Sequence, residues 1–151
     1  MEVLDHMQVK LVSMAERVEN PDPERMDVYL SNPFQLSDAA KRILDDGGWH
    51  LSAITGMDLP QSESYEGGTE LLYHFCKGPF VLTLRIRVTY GDPVAPTICD
   101  LIPSATLYER EAMEMFGVIF DGTPDRARLL LPDDWPDGVY PMRKSFKQLD
   151  Q

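Results

Sequence analysis

The chain has 151 residues, of which 43% are hydrophobic and 26% are charged, a composition typical of one globular domain with a sizeable core. Its 14 Lys and Arg residues stand against 25 Asp and Glu residues, so the formal net charge is −11. This acidic excess argues against a nucleic-acid-binding protein and against binding to anionic lipid by charge alone. A soluble enzyme, or a subunit that meets another protein, remains open.

Targeting and metal-binding signals are both missing from the sequence. No stretch approaches the roughly 20 apolar residues that a membrane helix needs. The first residues include Glu2, Asp5 and His6, where a signal peptide would have a basic segment and an apolar run, so we expect a cytosolic chain. Cys76 and Cys99 lie far apart and cannot hold an iron–sulfur cluster or a zinc ion by themselves. We therefore expect no metal or cofactor on this chain.

The first half of the chain contains signals for loops, strands and one helix. The breaker cluster at 20–23 predicts a loop, and residues 26–30 predict a short strand. Apolar residues at helical spacing predict a helix over 37–46. A further strand is expected over 49–54, after the glycine pair that follows this helix.

Two longer strands follow, over 69–76 and 80–89. The second alternates apolar and polar residues along its whole length, which is typical of a sheet with one solvated face. The order of elements predicts an α+β fold, an antiparallel sheet with helices on one side. Arg85 and Arg87 fall on the polar face, as part of a solvated surface or as a docking patch for an acidic partner.

The last third of the sequence changes character. Residues 104–116 predict a helix, but 117–151 contain four prolines and no sustained period. The segment is too apolar for a solvated tail and too broken for a core element. We predict a single α+β domain over 1–120 and an extended, proline-rich C-terminal arm over 121–151, which buries side chains against its own domain or against a partner.

The predicted helix at 104–116 carries several charged residues. Thr106 and Glu109 fit a capping box, in which the hydroxyl and the carboxylate satisfy the first backbone amides of the helix. Arg110 and Glu114 fit an exposed i,i+4 ion pair, and Gly117 ends the helix. A second interpretation makes Glu109 part of an acid–base pair with the next glutamate along the chain, and a third makes the helix an interface.

These residues also carry a resemblance to a known family. The segment 109–117 reads Glu-Arg-Glu-Ala-Met-Glu-Met-Phe-Gly, and further blocks follow at 121–125, 129–135 and 140–144. Together they resemble the signature of the complex I 30 kDa subunit family, which has related chains in energy-converting [NiFe] hydrogenases and formate hydrogenlyases. The motif positions expected to form the helix and its interface are Glu109, Arg110, Glu111, Glu114, Phe116, Gly117, Trp135, Tyr140, Arg143 and Lys144.

The resemblance implies a peripheral-arm subunit without a cofactor or catalytic residue of its own. Its partners would be the large subunit that carries the quinone or [NiFe] site, and other peripheral-arm subunits. The parent complex would carry iron–sulfur clusters and, in the hydrogenase branch, a [NiFe] centre. The chain would reach the membrane only through the complex, on the cytoplasmic side. Arg143 and Lys144 would anchor the arm to a neighbour that bears a carboxylate.

Three positions depart from the family pattern. The family usually has Asp at the position of Glu114, His or Lys at Thr123, and Arg at Ala127. Arg126 and Arg128 flank that alanine. The sequence of 135–144 is closer to the hydrogenase and formate hydrogenlyase branch, and the respiratory branch is the alternative.

Two hypotheses of other classes remain open at this point. One is a stand-alone small enzyme in which Glu109 and Glu111 act as an acid–base pair, since general catalysis needs carboxylates in different environments. The other is a homo-oligomer that buries the arm in itself.

Overall fold

The computed structural model describes residues 3–147, in which three helices are separated by groups of consecutive strands. Short 3-10 turns precede β1, α2 and α3. The helices and strands are α1 (Val3–Leu11), β1 (Ala15–Asp22), β2 (Arg25–Leu30), α2 (Leu36–Asp45), β3 (His50–Leu59), β4 (Gly68–Lys77), β5 (Phe80–Thr89), β6 (Val94–Pro96), α3 (Thr106–Phe116) and β7 (Ile119–Asp121).

Five of these strands form one sheet in the order β1-β2-β5-β4-β3, and β6 pairs with β7 in a small second sheet. The α+β class is confirmed. The expectation of a purely antiparallel sheet is wrong at one pair, because β2 and β5 run parallel. The reason lies in the connections. The crossover through α2 makes β3 parallel to β2. The hairpins from β3 to β4 and from β4 to β5 then reverse the chain twice, so β5 has the same direction as β3 and β2.

The alternation along the strands divides the sheet into a core face and an open face. Every second residue of β5 from Leu82 to Val88 is buried, as the period of two predicts. All three helices pack on this face, since a single apolar cluster joins them to the strands. Its largest fully buried members are Met7, Leu11, Met26, Leu36, Ile43, Leu71, Tyr73, Phe75, Leu82, Leu84, Ile86 and Phe120.

The N-terminal region holds the largest error of the sequence-based prediction. The cluster at 20–23, expected as a loop, forms the end of β1 and the start of a hairpin to β2. The carboxylate of Asp22 accepts a hydrogen bond from the amide of Glu24 at 2.9 Å and so shapes the turn. Because β1 lies at the sheet edge, Pro21 interrupts no pairing with a strand beyond it.

The C-terminal arm begins beside α3. From residue 122 to residue 147 the chain contains no helix or strand, and the structure does not describe the arm beyond that point. Residues 127–130 of this segment are hydrogen-bonded to α3. The division into a domain over 1–120 and an arm over 121–151 stays a prediction.

Helix α3 lies directly against β3 at a glycine. A Cβ atom added to Gly56 would be 2.8 Å from Cδ2 of the Phe116 ring, closer than van der Waals contact allows. Phe116 is itself buried and occupies the last turn of α3. The missing side chain at Gly56 therefore lets the helix approach the sheet.

We predict that Gly56→Ala destabilises the fold, because the new methyl group overpacks the contact with Phe116. Overpacking of a core contact costs about 1–3 kcal/mol, measurable as a lower free energy of unfolding in urea. Gly91→Ala is the control, since its Cβ would meet only the flexible end of Glu66, at 3.3 Å. Equal stability of the two variants would contradict this packing.

Candidate assembly site

Helix α3 presents its charged residues to different surroundings. Each residue of a helix is rotated by about 100° from the one before, so residues two apart point to different faces, whereas residues four apart share a face. Glu109 therefore points away from Glu111, and Arg110 and Glu114 point the same way. Gly117 ends the helix in a left-handed conformation with φ of +80°, as expected for a residue at this position.

Glu109 is fully buried and faces the turn that leads into α3. Its carboxylate accepts hydrogen bonds from the hydroxyl of Thr97 at 2.7 and 3.0 Å and from the amide of Ile98 at 3.0 Å. The thiol of Cys99 donates to it at 3.4 Å. All of these donors are neutral, so the carboxylate is held by hydrogen bonds rather than by an ion pair.

The capping box predicted for Thr106 and Glu109 is wrong. The residue before the helix is Ala105, and it makes no side-chain cap. The hydroxyl oxygen of Thr106 is buried without a hydrogen-bond partner in the described chain. The carboxylate of Glu109 points inward instead of capping the helix, because the turn at 97–99 offers it several donors at once.

The groups around Glu109 keep their protons at neutral pH. Burial raises the pKa of the Cys99 thiol, and burial followed by the charge of Glu109 raises the pKa of the Tyr73 hydroxyl well above its ordinary value. A protonated thiol is a poor nucleophile. The helix does not bring Glu109 and Glu111 together, since Glu111 is exposed on another face.

Arg110 and Glu114 attach the arm to the helix through its backbone. Arg110 donates to the carbonyl oxygens of Ala127 and Arg128, each at 2.9 Å. The carboxylate of Glu114 accepts the amides of Leu129 and Leu130, the second at 2.9 Å. The predicted surface ion pair is wrong, since the two residues share a face but bind the arm instead of each other. We call this set of bonds the helix–arm contact.

A second attachment lies at the C-terminal end of α3. Arg143 donates from Nε to the carbonyl oxygen of Phe116 at 2.8 Å, a position where a cation complements the helix dipole. Its guanidinium group also lies over the rings of Tyr90 and Tyr140, at 4.7 and 4.5 Å from their centroids. A Cβ at Gly117 would be 2.6 Å from the Tyr140 ring. Arg143 is thus bound within its own chain.

The backbone of Lys144 extends this attachment to the sheet. Its amide donates to Asp58 at 2.8 Å, and Asp58 also accepts the hydroxyl of Tyr90. Burial, and then the bond to Asp58, raise the pKa of Tyr90 to about 12. The native state therefore keeps the Tyr90 hydroxyl proton, which the unfolded chain loses near pH 10. The contribution of this group to the free energy of unfolding is fully present below about pH 10 and is lost as the pH rises through about 12.

The rest of the arm folds on itself. The indole nitrogen of Trp135 donates to the carbonyl oxygen of Val139 at 2.8 Å, and its ring lies 6.0 Å from that of Phe146. Arg128 donates to the carbonyl oxygen of Pro132 and to Asp137, each at 2.9 Å.

Two of the three positions that depart from the family pattern, Ala127 and Glu114, have local explanations. Ala127 contributes its carbonyl oxygen to Arg110, and its amide donates to Asp125 at 2.9 Å, so its contacts run through the backbone. Thr123 is half-buried, and its hydroxyl oxygen has no hydrogen-bond partner in the described chain. Glu114 keeps the negative charge that Asp would supply.

Two leucines of the arm are exposed although the backbone that carries them is fixed. Leu129 and Leu130 are 37% and 60% exposed, and their amides are the ones that Glu114 holds. Leu107 of α3 is also about half exposed. An apolar surface on a fixed backbone is typical of a protein–protein interface.

The two arginines of the open sheet face are engaged within the chain. Arg85 bonds Asp27 at 3.1 Å and also bonds Glu70, while Arg87 bonds Glu70 at 2.9 Å. Glu70 is almost completely buried beneath them. The positive charges of Arg85 and Arg87 are therefore paired with carboxylates of the same chain.

The described residues contain neither a metal-binding cluster nor a membrane span. Between residues 3 and 147, no three His, Cys, Asp or Glu side chains lie together in a way that could hold a metal ion. No helix in the same range is long and apolar enough to cross a bilayer.

Comparison with known proteins gives a consistent family. The profile described as "Respiratory-chain NADH dehydrogenase, 30 Kd subunit" matches residues 29–151. The chain is 40% identical over 102 residues to "Formate hydrogenlyase subunit 5" of Escherichia coli (strain K12), a match that covers 65% of this chain and 17% of the relative. It is 44% identical over 127 residues to an NADH-quinone oxidoreductase subunit of Chloroherpeton thalassium, a match that covers 82% of this chain and 48% of the relative.

The chain thus spans less than half the length of these two curated relatives. Among solved structures, it is similar to a chain from the "Structure of the membrane-bound sulfane sulfur reductase (MBS), an archaeal respiratory membrane complex". The TM-score is 0.79 at 26% sequence identity, and the match covers 97% of this chain and 85% of that chain.

We predict that Glu109→Gln lowers the free energy of unfolding, because the new amide group would face the donors of Thr97 and Ile98. A mismatched buried hydrogen-bond group costs about 1–3 kcal/mol, measurable by chemical denaturation. Glu111→Gln is the matched control and changes stability by less than about 0.5 kcal/mol, as expected at an exposed position. Equal effects of the two changes would contradict the buried role of Glu109.

Proposed function

The chain belongs to the family of the respiratory-chain NADH dehydrogenase 30 kDa subunit, and on this basis we propose that it is a non-catalytic, hydrophilic subunit of a complex I-like, ion-translocating membrane oxidoreductase. In this role it contributes a docking surface, and the redox chemistry takes place on other chains. The surface consists of α3 and the described part of the arm.

One observation carries the proposal. Arg110 and Glu114 fix the backbone of residues 127–130, and the leucine side chains on that backbone point outward. Fixing a loop before binding reduces the conformational entropy that association has to overcome. A chain that only needed to cover its own core would gain nothing from holding two leucines in solvent.

The partner that fits best is the large subunit that carries the quinone or [NiFe] site. Other peripheral-arm subunits of the same complex are further neighbours. The family resemblance supports this assignment, and so do the membrane complexes named by the relatives. The subunit would be peripheral, on the cytoplasmic side of the membrane, and the parent complex would carry the iron–sulfur clusters.

The hydrogenase branch is the form of the complex that we favour, with a [NiFe] centre on the large subunit. The sequence of residues 135–144 and the similarity to a formate hydrogenlyase protein support it. The respiratory NADH-type complex is the second candidate, and the similarity to an NADH-quinone oxidoreductase favours it. The class of the large subunit that co-purifies with this chain distinguishes the two.

The stand-alone enzyme is the weaker hypothesis. Glu109 is enclosed by its hydrogen bonds and Glu111 lies on a different face of α3, so no substrate can reach both carboxylates at once. An acid–base pair needs both groups within reach of one reacting molecule.

The proposal is tested by purifying the tagged full chain from its own cells and identifying the subunits that accompany it. We expect a large subunit of the complex I or hydrogenase type. Leu130→Asp should reduce its recovery at least about fivefold, since truncating a central interface residue costs more than about 1 kcal/mol.

Val9→Asp is the control for this experiment, because Val9 is 68% exposed on α1 and lies outside the proposed surface. It should leave recovery and stability unchanged. A monodisperse chain that turns over a substrate unaided, or full recovery of the large subunit with Leu130→Asp, would overturn the proposed docking role.

A further inference from the structure

The two edges of the five-stranded sheet differ in how they are protected. At one edge, β1 has two register irregularities, a proline at position 21 and exposed charges at Glu16, Arg17 and Glu19. Bulges, prolines and charges are the features that keep an edge strand from pairing with another chain. The β1 edge is therefore protected against further strand addition.

The opposite edge, β3, is less protected, since it has one register irregularity, between Leu51 and Ala53, and no proline. It has ten residues, and the only Asp, Glu, Lys or Arg among them is Asp58, which is buried. In the described part of the chain, no backbone hydrogen bond joins β3 to a segment other than β4. Such an edge is a ready template for another strand.

Contacts at its two ends leave the middle of β3 open. Near the start of the strand, the hydroxyl of Tyr108 donates to the carbonyl oxygen of Ser52 at 2.9 Å. Near its end, the amide of Lys144 donates to the side chain of Asp58 at 2.8 Å. Neither contact reaches residues 53–57, so this stretch of the edge remains free within the described chain.

An apolar groove lies beside this open stretch. Its volume is about 280 Å³, and it is lined by residues of β3, of α3 and of the arm. We call it the edge groove, and its principal lining residues are Ile54, Gly56, Ala112, Met115, Phe116 and Met142. Met142 is 55% exposed at its mouth. A strand added to β3 would direct every second side chain into the groove, because strand side chains alternate between faces.

We infer that the edge of β3 and the edge groove bind an extended apolar segment of another subunit, which adds a sixth strand to the sheet. Backbone hydrogen bonds to residues 53–57 would supply affinity, and alternate apolar side chains in the groove would supply specificity. The inference rests on the proposed function for the source of the segment, and it concerns a surface separate from Leu129 and Leu130.

Charge favours an apolar segment that also carries a basic residue over a second copy of this chain. Glu111 stands exposed at the rim of the groove and forms no ion pair within residues 3–147. A partner segment with a Lys or Arg would complement it, whereas a second copy would bring a second Glu111 and a net charge of −11. Like charges placed together at an interface oppose association.

Backbone amide exchange measured on the full chain alone and in the purified complex tests the inference. We expect the amides of 53–57 to exchange at least about tenfold more slowly in the complex, because a new strand would protect those that point away from β4. Met142→Glu should reverse this protection by placing a carboxylate in the groove. Val12→Glu is the control, since Val12 has a similar exposure of 54% and lies outside the groove.

The outcomes separate the two proposals. A complex that assembles while exchange at 53–57 stays unchanged overturns the added strand and leaves the proposed function standing. A chain that recovers no partner subunit overturns both. Slow exchange at 53–57 in the isolated chain, together with a dimer in light scattering, assigns the groove to a second copy and overturns the partner segment.

Discussion

The carboxylate of Glu114 is the interaction on which the shape of the C-terminal surface depends. It accepts the amides of Leu129 and Leu130, while Arg110, one turn earlier, holds the carbonyl oxygens of Ala127 and Arg128. Donors and acceptors of the backbone at 127–130 are thus paired by one helix face, in a segment that has no helix or strand of its own to pair them. The arm has a fixed conformation beside α3 because the helix binds its backbone rather than its side chains.

The same helix supports the fold in the opposite direction. Glu109 fixes the turn at 97–99, Phe116 packs against Gly56, and the last carbonyls of α3 receive Arg143. Motif residues that could be read as an interface or as an acid–base pair therefore act mainly within the chain. The surface that we propose for a partner consists of what this scaffold leaves exposed, namely two leucines of the arm and the edge groove beside β3.

Local patterns predict the elements that have a clear period. The helix α2 and the strands β2, β4 and β5 lie at nearly their expected positions, because alternation and helical spacing reflect burial directly. The parallel pairing of β2 with β5 is set by the path of the whole chain and leaves no local signal. The pattern fails for β1 because Pro21 is a breaker in most settings although an edge strand tolerates it, while Pro23 lies in the turn that follows.

The sequence predicts the members of the candidate site but not their contacts. The motif identifies Arg110, Glu114 and Arg143 as important, yet their partners are mostly backbone groups, which no side-chain pattern identifies. Amide exchange at Leu129 and Leu130 in Glu114→Gln, with Glu111→Gln as control, measures how firmly Glu114 holds the arm backbone. Exchange at these two amides should be at least about tenfold faster in Glu114→Gln alone, and unchanged exchange would show that Glu114 does not hold the arm.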